Sequence, residues 1–179
     1  MLNLIRIIEL GYYFEINKST GGGKMKIELV RANESYAKEI WDMQKIAFAE
    51  LLNKYRDYET NPANEPLVKV VMRLRQPFTY FYLIRSNEKN IGAIRVVDKK
   101  TSAEMKHISP LFILPEYRNN GLAQAAILRV EDIHGSHGWE IDTILQEAAN
   151  CHLYEKMGYV KTDKIKQINP LMSLVFYKK

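Results

Sequence analysis

The stretch 114–123, LPEYRNNGLA, stands between an apolar run and a helical pattern, and it decides how the chain is interpreted. The apolar run is typical of a strand, and the helix is predicted to begin near Leu122. A loop at this junction presents free N–H groups at a helix N-terminus, where the helix dipole favours negative charge. Gly121 and Ala123 let an anion approach the main chain closely, and Arg118 adds a positive charge. The pattern predicts a phosphate site, although a glycine at such a turn also has a purely steric explanation.

Composition limits what this stretch can mean. With 179 residues, 46% hydrophobic and 26% charged, the chain has the balance of one globular domain with a substantial core. A net charge of +5 helps to attract anions without requiring nucleic acid. A single cysteine, Cys151, excludes an intramolecular disulfide and a thiolate zinc cluster, which favours a reducing, cytoplasmic setting. No stretch approaches the roughly 18 apolar residues of a membrane span, so we expect no membrane association.

The N-terminal segment differs from the rest of the chain. Three consecutive glycines, 21–23, precede Met25, where a strand-like alternation begins. We therefore predict an extension over residues 1–24 and a single domain over residues 25–179. The native start of translation at Met25 is one explanation, and an added arm that packs on the fold or on a partner is the other.

Strand and helix patterns alternate through the predicted domain. Strand patterns lie at 25–32, 78–86, 91–99, 103–114, 139–146 and 173–178, and helical patterns lie at 33–57, 67–77, 121–138 and 147–158. Turn residues at 87–90 predict a hairpin. The result is an α/β (α+β) fold with a mixed sheet rather than a purely parallel one.

Two segments of the chain resemble the best-marked motifs of the GNAT superfamily of acetyl-CoA-dependent N-acetyltransferases. The first motif is Arg or Gln, two residues, Gly, one residue, then Gly or Ala, and the chain supplies Arg118, Gly121 and Ala123. The second lies in NCHLYEKMGYV, and its matching residues are Asn150, Tyr154, Glu155, Lys156, Gly158 and Tyr159. The residue-level match is confined to about 110–160, whereas the architecture matches over about 25–179.

The resemblance implies a twisted mixed sheet of six to seven strands, flanked by helices, whose middle strands at 106–114 and 139–146 splay apart. Acetyl-CoA would bind in that gap, with CoA as the product. Main-chain groups around the end of the first splayed strand would pair with the pantetheine and orient the acetyl carbonyl: Phe112, Ile113 and Leu114. The residues that would hold the pyrophosphate are Asn119, Asn120, Gly121, Leu122, Ala123 and Gln124.

Acetyl transfer to an amine needs a proton for the departing thiolate. Tyr154 is the candidate acid, because a phenol near pKa 10 can donate to a thiolate whose acid is near 8.5. On its own, the residue is more typical of a core tyrosine, and it is the family motif that favours the catalytic role. Asn150 lies four residues earlier on the same helical face, where it could bind the cofactor, cap the helix or do both.

The general base has three candidates. His107 lies in the strand that leads to the cofactor loop, and a histidine near pKa 6.5 suits accepting a proton from an ammonium. A solvated or structurally bonded histidine is the alternative for this residue. Glu147 follows the second splayed strand. A water chain with no single base is the third possibility.

The acceptor side is predicted from the segment NKYRDYETNPANEP. The resemblance implies that the first helices and their connection cover this side of the cleft. The residues that would form an acidic, aromatic wall for a cationic amine are Tyr55, Asp57, Tyr58, Glu59 and Glu65. An exposed loop with ordinary charges is the alternative.

The sequence thus favours direct transfer of acetyl from acetyl-CoA to a primary amine of a small molecule or peptide, in a ternary complex. A non-catalytic acetyl-CoA-binding module is the alternative, and a nucleic-acid-binding domain lacks the expected basic stripe with exposed aromatics. No metal is expected, because His134, His137 and His152 with Cys151 have no metal-ligand spacing. A homodimer through the last strand or the N-terminal arm is possible. The sequence does not identify the acceptor.

Overall fold

The chain forms one eight-stranded sheet in the computed structural model, which describes residues 12–15, 26–101 and 104–179. The strands are β1 (Tyr12–Glu15), β2 (Lys26–Arg31), β3 (Thr79–Ser86), β4 (Lys89–Val97), β5 (Lys106–Ile113), β6 (Trp139–Ile144), β7 (Val160–Asn169) and β8 (Met172–Lys178). The helices are α1 (Ala37–Tyr55), α2 (Leu67–Arg75), α3 (Leu122–His134) and α4 (Ala148–Lys156). This mixed, helix-flanked sheet confirms the predicted fold class, and it has one strand more than the six to seven that were expected.

The strand order is β1-β2-β3-β4-β5-β6-β8-β7, and β5 and β6 form its parallel pair. All other neighbouring pairs are antiparallel. β1 pairs with β2, with Tyr12 opposite Leu29. The glycines 21–23 and Met25, at the predicted start of the domain, lie outside the described residues.

Both faces of the sheet are covered, as the alternation along β3 shows. Phe81 and Leu83 pack in a cluster with buried residues of α1 and α2. Tyr82 and Ile84, on the opposite face, pack in a second cluster with α3 and α4. Burial of each large apolar side chain contributes about 1.5–3 kcal/mol, so these two clusters fix the positions of the helices against the sheet.

Local sequence sets where the helices begin and end. The Asn33 side chain accepts hydrogen bonds from the Ser35 N–H (2.9 Å) and hydroxyl (2.6 Å), which starts a 3-10 turn before α1. Gly158, just beyond α4, has φ 82°, the left-handed conformation that ends helices. Among the described residues, no helix has both the length and the apolar character that spanning a membrane would require.

The sequence pattern did not predict β7. Its residues are mostly exposed, and the strand lies at the edge of the sheet, paired with β8 alone. Because neither face of β7 is buried in the core, its sequence lacks the apolar alternation from which strands are recognised. The strand forms because it continues a hairpin with β8, whose own residues are partly buried.

β4 and β5 approach each other closely at Gly92. This residue lies opposite Ile113 in the register. A Cβ atom at Gly92 would lie 2.2 Å from the Phe112 main-chain oxygen, a separation that no side chain tolerates. Because Gly92 has no Cβ atom, the end of β5 can lie this close to β4.

We expect Gly92→Ala to lower the free energy of unfolding by about 1–3 kcal/mol, as is typical of an overpacked site. Urea unfolding followed by tryptophan fluorescence measures the change. Lys89→Ala, at an exposed position of the same strand, is the control and should stay within about 0.5 kcal/mol of wild type. Equal stability of the two variants would contradict the close approach.

Candidate active site

The sheet opens between β5 and β6. These strands are paired only through Lys106 with Trp139 and His107 with Glu140. Beyond these pairs, β5 continues beside β4 to Ile113, and β6 continues beside β8. The two strands therefore diverge, as the predicted splay requires, and a gap opens toward their C-terminal ends.

The loop after β5 turns the chain into α3. A 3-10 turn, Pro115–Tyr117, is followed by Asn119 with φ 63° and Gly121 with φ 73°. Both residues are left-handed, a conformation that glycine adopts without strain and asparagine tolerates. The Gly121 carbonyl accepts from Ala125 N–H at 3.0 Å, so the helical hydrogen bonds begin here. The N–H groups in the first turn of α3 have no intrahelical acceptor and are directed out of its N-terminus.

Arg118 connects this loop to its surroundings. Its guanidinium donates to the Ile113 carbonyl at 3.1 Å and to the Ala47 carbonyl at 2.6 Å. The Glu50 carboxylate is 3.7 Å away. Arg118 thus joins the end of β5 to α1 and holds the loop between them, in addition to bringing positive charge to the site.

A cleft of about 470 Å³ lies beside the loop. Its lining includes most residues predicted to bind the cofactor: Phe112, Ile113, Arg118, Asn119, Gly121, Leu122, Ala123, Gln124 and Asn150. Leu114 and Asn120 lie outside this lining. Leu114 packs against the apolar cluster beneath α1 and α2, and the Asn120 side-chain amide donates to the Tyr117 carbonyl at 3.2 Å. Asn150 is an internal residue of α4, whose N-cap is Glu147.

Tyr154 lines the same cleft from α4. Its ring packs between Tyr159 and Tyr177, with centroid distances of 6.1 and 6.0 Å. Burial raises the pKa of the Tyr154 phenol, and the nearby Asp142 carboxylate raises it further. Tyr154 is therefore a protonated donor at neutral pH.

The two predicted base residues occupy different positions. His107 lies where β5 and β6 are still paired, outside the cleft lining, and its Nε2 is 3.1 Å from the Asp142 carboxylate. Glu147 lines the cleft. The structure therefore brings Glu147, rather than His107, together with Tyr154.

The Glu147 carboxylate accepts two hydrogen bonds on Oε1, from Tyr55 Oη at 2.6 Å and from Lys54 Nζ at 2.7 Å. Burial raises the pKa of this carboxyl, but the bonds from Lys54 and Tyr55 and the charge of Lys54 outweigh that effect and hold the pKa below its ordinary value. Glu147 is therefore an ionised carboxylate at neutral pH.

Three of the five residues predicted for the acceptor wall have internal partners, and the other two, Tyr58 and Glu59, are exposed and lie outside the cleft lining. Asp57 is buried and accepts from the Thr60 N–H at 2.9 Å. Glu65 is buried in an ion pair with Arg73. Tyr55 is buried outside the cleft lining and bonds the Glu147 carboxylate, which lines the cleft. The wall of the cleft on this side is formed instead by one face of α1.

That face includes residues that the sequence analysis did not assign to the site: Ala47, Phe48, Leu51 and Lys54. The Phe48 ring meets the Phe112 ring edge-on, at a centroid distance of 5.8 Å. The helical spacing of Ala47, Leu51 and Lys54 places them on one side of α1, and the sequence analysis took this pattern only as evidence of a helix. Lys54 continues the apolar stripe of Ala47 and Leu51, and a polar residue in that position could have indicated the wall of a cleft.

A comparison with sequence families identifies the chain. The model of the Acetyltransferase (GNAT) family matches residues 37–159, which include the α1 wall, the loop before α3 and α4. A comparison with curated protein sequences found no match.

Solved structures share the fold. An acetyltransferase from Thermus thermophilus has a TM-score of 0.63 at 16% identity, covering 84% of this chain and 94% of the other. Spermidine N-acetyltransferase from Vibrio cholerae, in complex with CoA and spermine, has a TM-score of 0.67 at 16% identity, covering 84% and 93%. The Microcin C7 self immunity acetyltransferase MccE, in complex with acetyl-CoA and AMP, has a TM-score of 0.65 at 15% identity, covering 86% and 91%. With its parted strands, its left-handed turn before α3 and its matching sequence, the chain belongs to the acetyltransferase (GNAT) family.

Proposed function

We propose that the protein transfers the acetyl group of acetyl-CoA directly to a primary amine of a small molecule or peptide, within a ternary complex. One observation carries the proposal: the N-terminus of α3 and the Tyr154 phenol lie on the walls of a single cleft. The N-terminus of α3 can bind a phosphate group, and the Tyr154 phenol can donate a proton. The structural relatives support the choice of substrates, because they include complexes with acetyl-CoA and with CoA and spermine.

The start of α3 suits the diphosphate of CoA. Its N–H groups and the helix dipole favour an anion, and the left-handed Gly121 brings the main chain to the cleft surface. A Cβ atom at Gly121 would meet no other atom within 4 Å, so the space beside this residue is open to a ligand. Arg118 keeps the loop in place through its bonds to Ile113 and Ala47.

The gap beside β5 suits the pantetheine arm. Past His107, the main chain of β5 is paired with β4 on one side and borders the gap on the other. Phe112 and Ile113 line the cleft there, so their main chain is close to where a thioester would lie. When bound, acetyl-CoA supplies the thioester whose acetyl group passes to the amine as CoA leaves as a thiol.

Tyr154 and Glu147 divide the proton transfers. Glu147, an ionised carboxylate in the cleft, attracts the acceptor ammonium and is the nearest candidate to take its proton, directly or through water. Tyr154 Oη keeps its proton at neutral pH and donates it to the departing sulfur, and the second proton that the nitrogen loses as the amide forms restores the phenol. Cys151 lies outside the cleft lining, which agrees with direct transfer rather than an acyl-enzyme.

Gly121→Val should weaken the binding of CoA by about tenfold or more, or about 1.4 kcal/mol, because a β-branched residue disfavours the left-handed turn and covers the main chain. Gly138→Val is a matched control. Gly138 has a similar φ of 74° and equally open surroundings, but it lies outside the cleft lining.

Both variants should lose similar stability in thermal denaturation, whereas isothermal titration with CoA should separate them. Equal CoA affinity in both variants would count against binding at the start of α3.

Tyr154→Phe should lower kcat by about 100-fold or more while leaving CoA affinity nearly unchanged, because it removes a proton donor and little packing. Release of free thiol from acetyl-CoA, measured over a panel of primary amines, gives kcat.

Tyr177→Phe is the control for the Tyr154 variant. Tyr177 packs against the Tyr154 ring and bonds Glu155 at 3.2 Å, but it lies outside the cleft lining. Loss of the Tyr177 hydroxyl should lower the free energy of unfolding by about 1 kcal/mol and leave kcat within a few-fold of wild type. If Tyr154→Phe also kept wild-type kcat under conditions where chemistry limits the rate, the acid role would be wrong.

A further inference from the structure

Glu147 lies where three parts of the fold meet. The last residue of α1 bonds it, α4 begins after it, and the last residue of β7 contacts the end of α1. The Asn169 side-chain amide donates to the Tyr55 carbonyl at 3.0 Å. The Ser173 carbonyl accepts from Leu145 N–H at 2.8 Å, which ties the same hairpin to the segment before Glu147. The carboxylate therefore projects from a braced junction into the cleft.

The two donors to Glu147 differ in how firmly they are held. Tyr55 is 3% exposed, and its main-chain carbonyl is bonded by Asn169, so its side chain is held on both counts. The Lys54 side chain is 54% exposed and lines the cleft. Tyr55 is the permanent partner of Glu147, and Lys54 is a partner that can leave.

The departure of Lys54 costs little. An ion pair with one solvated partner contributes only a small net free energy to stability. When the pair breaks, water solvates the ammonium, and the lysine side chain regains its conformational freedom. A second carboxylate is also within reach: Glu50 lies four residues earlier on α1, the spacing at which side chains meet on a helix, and it lines the same cleft. The released ammonium can therefore pair with Glu50, one turn earlier on the same face of α1.

We propose that Lys54 occupies the position of the acceptor ammonium on Glu147 and is displaced by it, so that the protein selects cationic primary amines in competition with its own lysine. The inference rests on the proposed function and adds the charge class of the acceptor. The arriving ammonium replaces one of the same charge, and the Tyr55 hydroxyl continues to orient the carboxylate. A neutral ligand gains nothing from the exchange, because it would leave Glu147 without a cation.

A purely structural role for Lys54 predicts the opposite result. If the Lys54–Glu147 pair served only to hold α1 against α4, its removal would loosen the cleft and weaken the binding of any ligand there. If Lys54 competes with the acceptor, its removal strengthens the binding of an ammonium ligand alone. The sign of the change separates the two roles.

Isothermal titration of the CoA-saturated protein with n-hexylamine, which is protonated at pH 7.5, tests the exchange, and 1-hexanol is the neutral probe. Lys54→Met keeps the aliphatic stem and removes the charge, and it should bind the amine at least fivefold more tightly than wild type does. Glu147→Gln should bind it at least fivefold more weakly. Lys45→Met, an exposed position on α1 outside the cleft lining, should match wild type.

Weaker or unchanged amine binding by Lys54→Met would overturn the proposal, as would a similar gain for 1-hexanol or no detectable amine binding by this variant. Thermal denaturation of each variant shows whether the fold is intact. Tyr55→Phe, which keeps the buried ring, should weaken amine binding without changing CoA affinity. Titration of wild type with CoA alone is a separate measurement: its failure would count against the proposed function, whereas the amine titrations test the exchange.

Discussion

The parting of β5 and β6 is the constraint on which the site depends. Two residue pairs join these strands, and past His107 each follows a different neighbour. A continuous sheet would satisfy its own hydrogen bonds and leave no room for a ligand. Because the ladder stops, main-chain groups of β5 border a gap, and buried main-chain groups without partners are costly. The gap is therefore a place where a ligand's amide groups could replace missing sheet hydrogen bonds.

An interrupted sheet needs support from elsewhere, and side chains supply it. The two apolar clusters hold the halves of the sheet through the helices on both faces. At the open end, Arg118 satisfies the Ile113 carbonyl and attaches it to α1 through Ala47. Across the gap, Tyr55 bonds Glu147 and so joins α1 to α4. These contacts brace the cleft on the sides where no strand pairing does.

Sequence patterns could predict the parts of this site that are local. The turn around Gly121 requires a residue that tolerates positive φ, and the adjoining strand and helix have clear periodicities, so the loop was recognised from a short stretch. β7 was missed because a strand exposed on both faces has no apolar alternation. The Tyr55–Glu147 bond joins residues 92 positions apart, and only the tertiary fold, which places the end of α1 beside the N-cap of α4, brings them together. Asp57 and Glu65 were assigned to a wall from their charge, whereas their burial with Thr60 and Arg73 depends on how the connection between α1 and α2 folds back.

The position of α3 depends on its far end as well as on the loop before it. His134, the last residue of α3, is buried between Asp98 and Tyr82, with ring-nitrogen distances of 2.9 and 3.0 Å. Burial lowers the pKa of His134, an effect that the Asp98 carboxylate partly opposes. Lys106 Nζ donates to the His134 carbonyl at 2.9 Å, which places a cation at the negative end of the helix dipole. Lys106 also begins β5, where this strand is still paired with β6. The closed end of the sheet thus anchors the C-terminus of α3, and the helix projects its N-terminus toward the open end. A helix fixed at both ends presents its N–H groups without rearrangement, and this preorganisation is what a fixed anion-binding site requires.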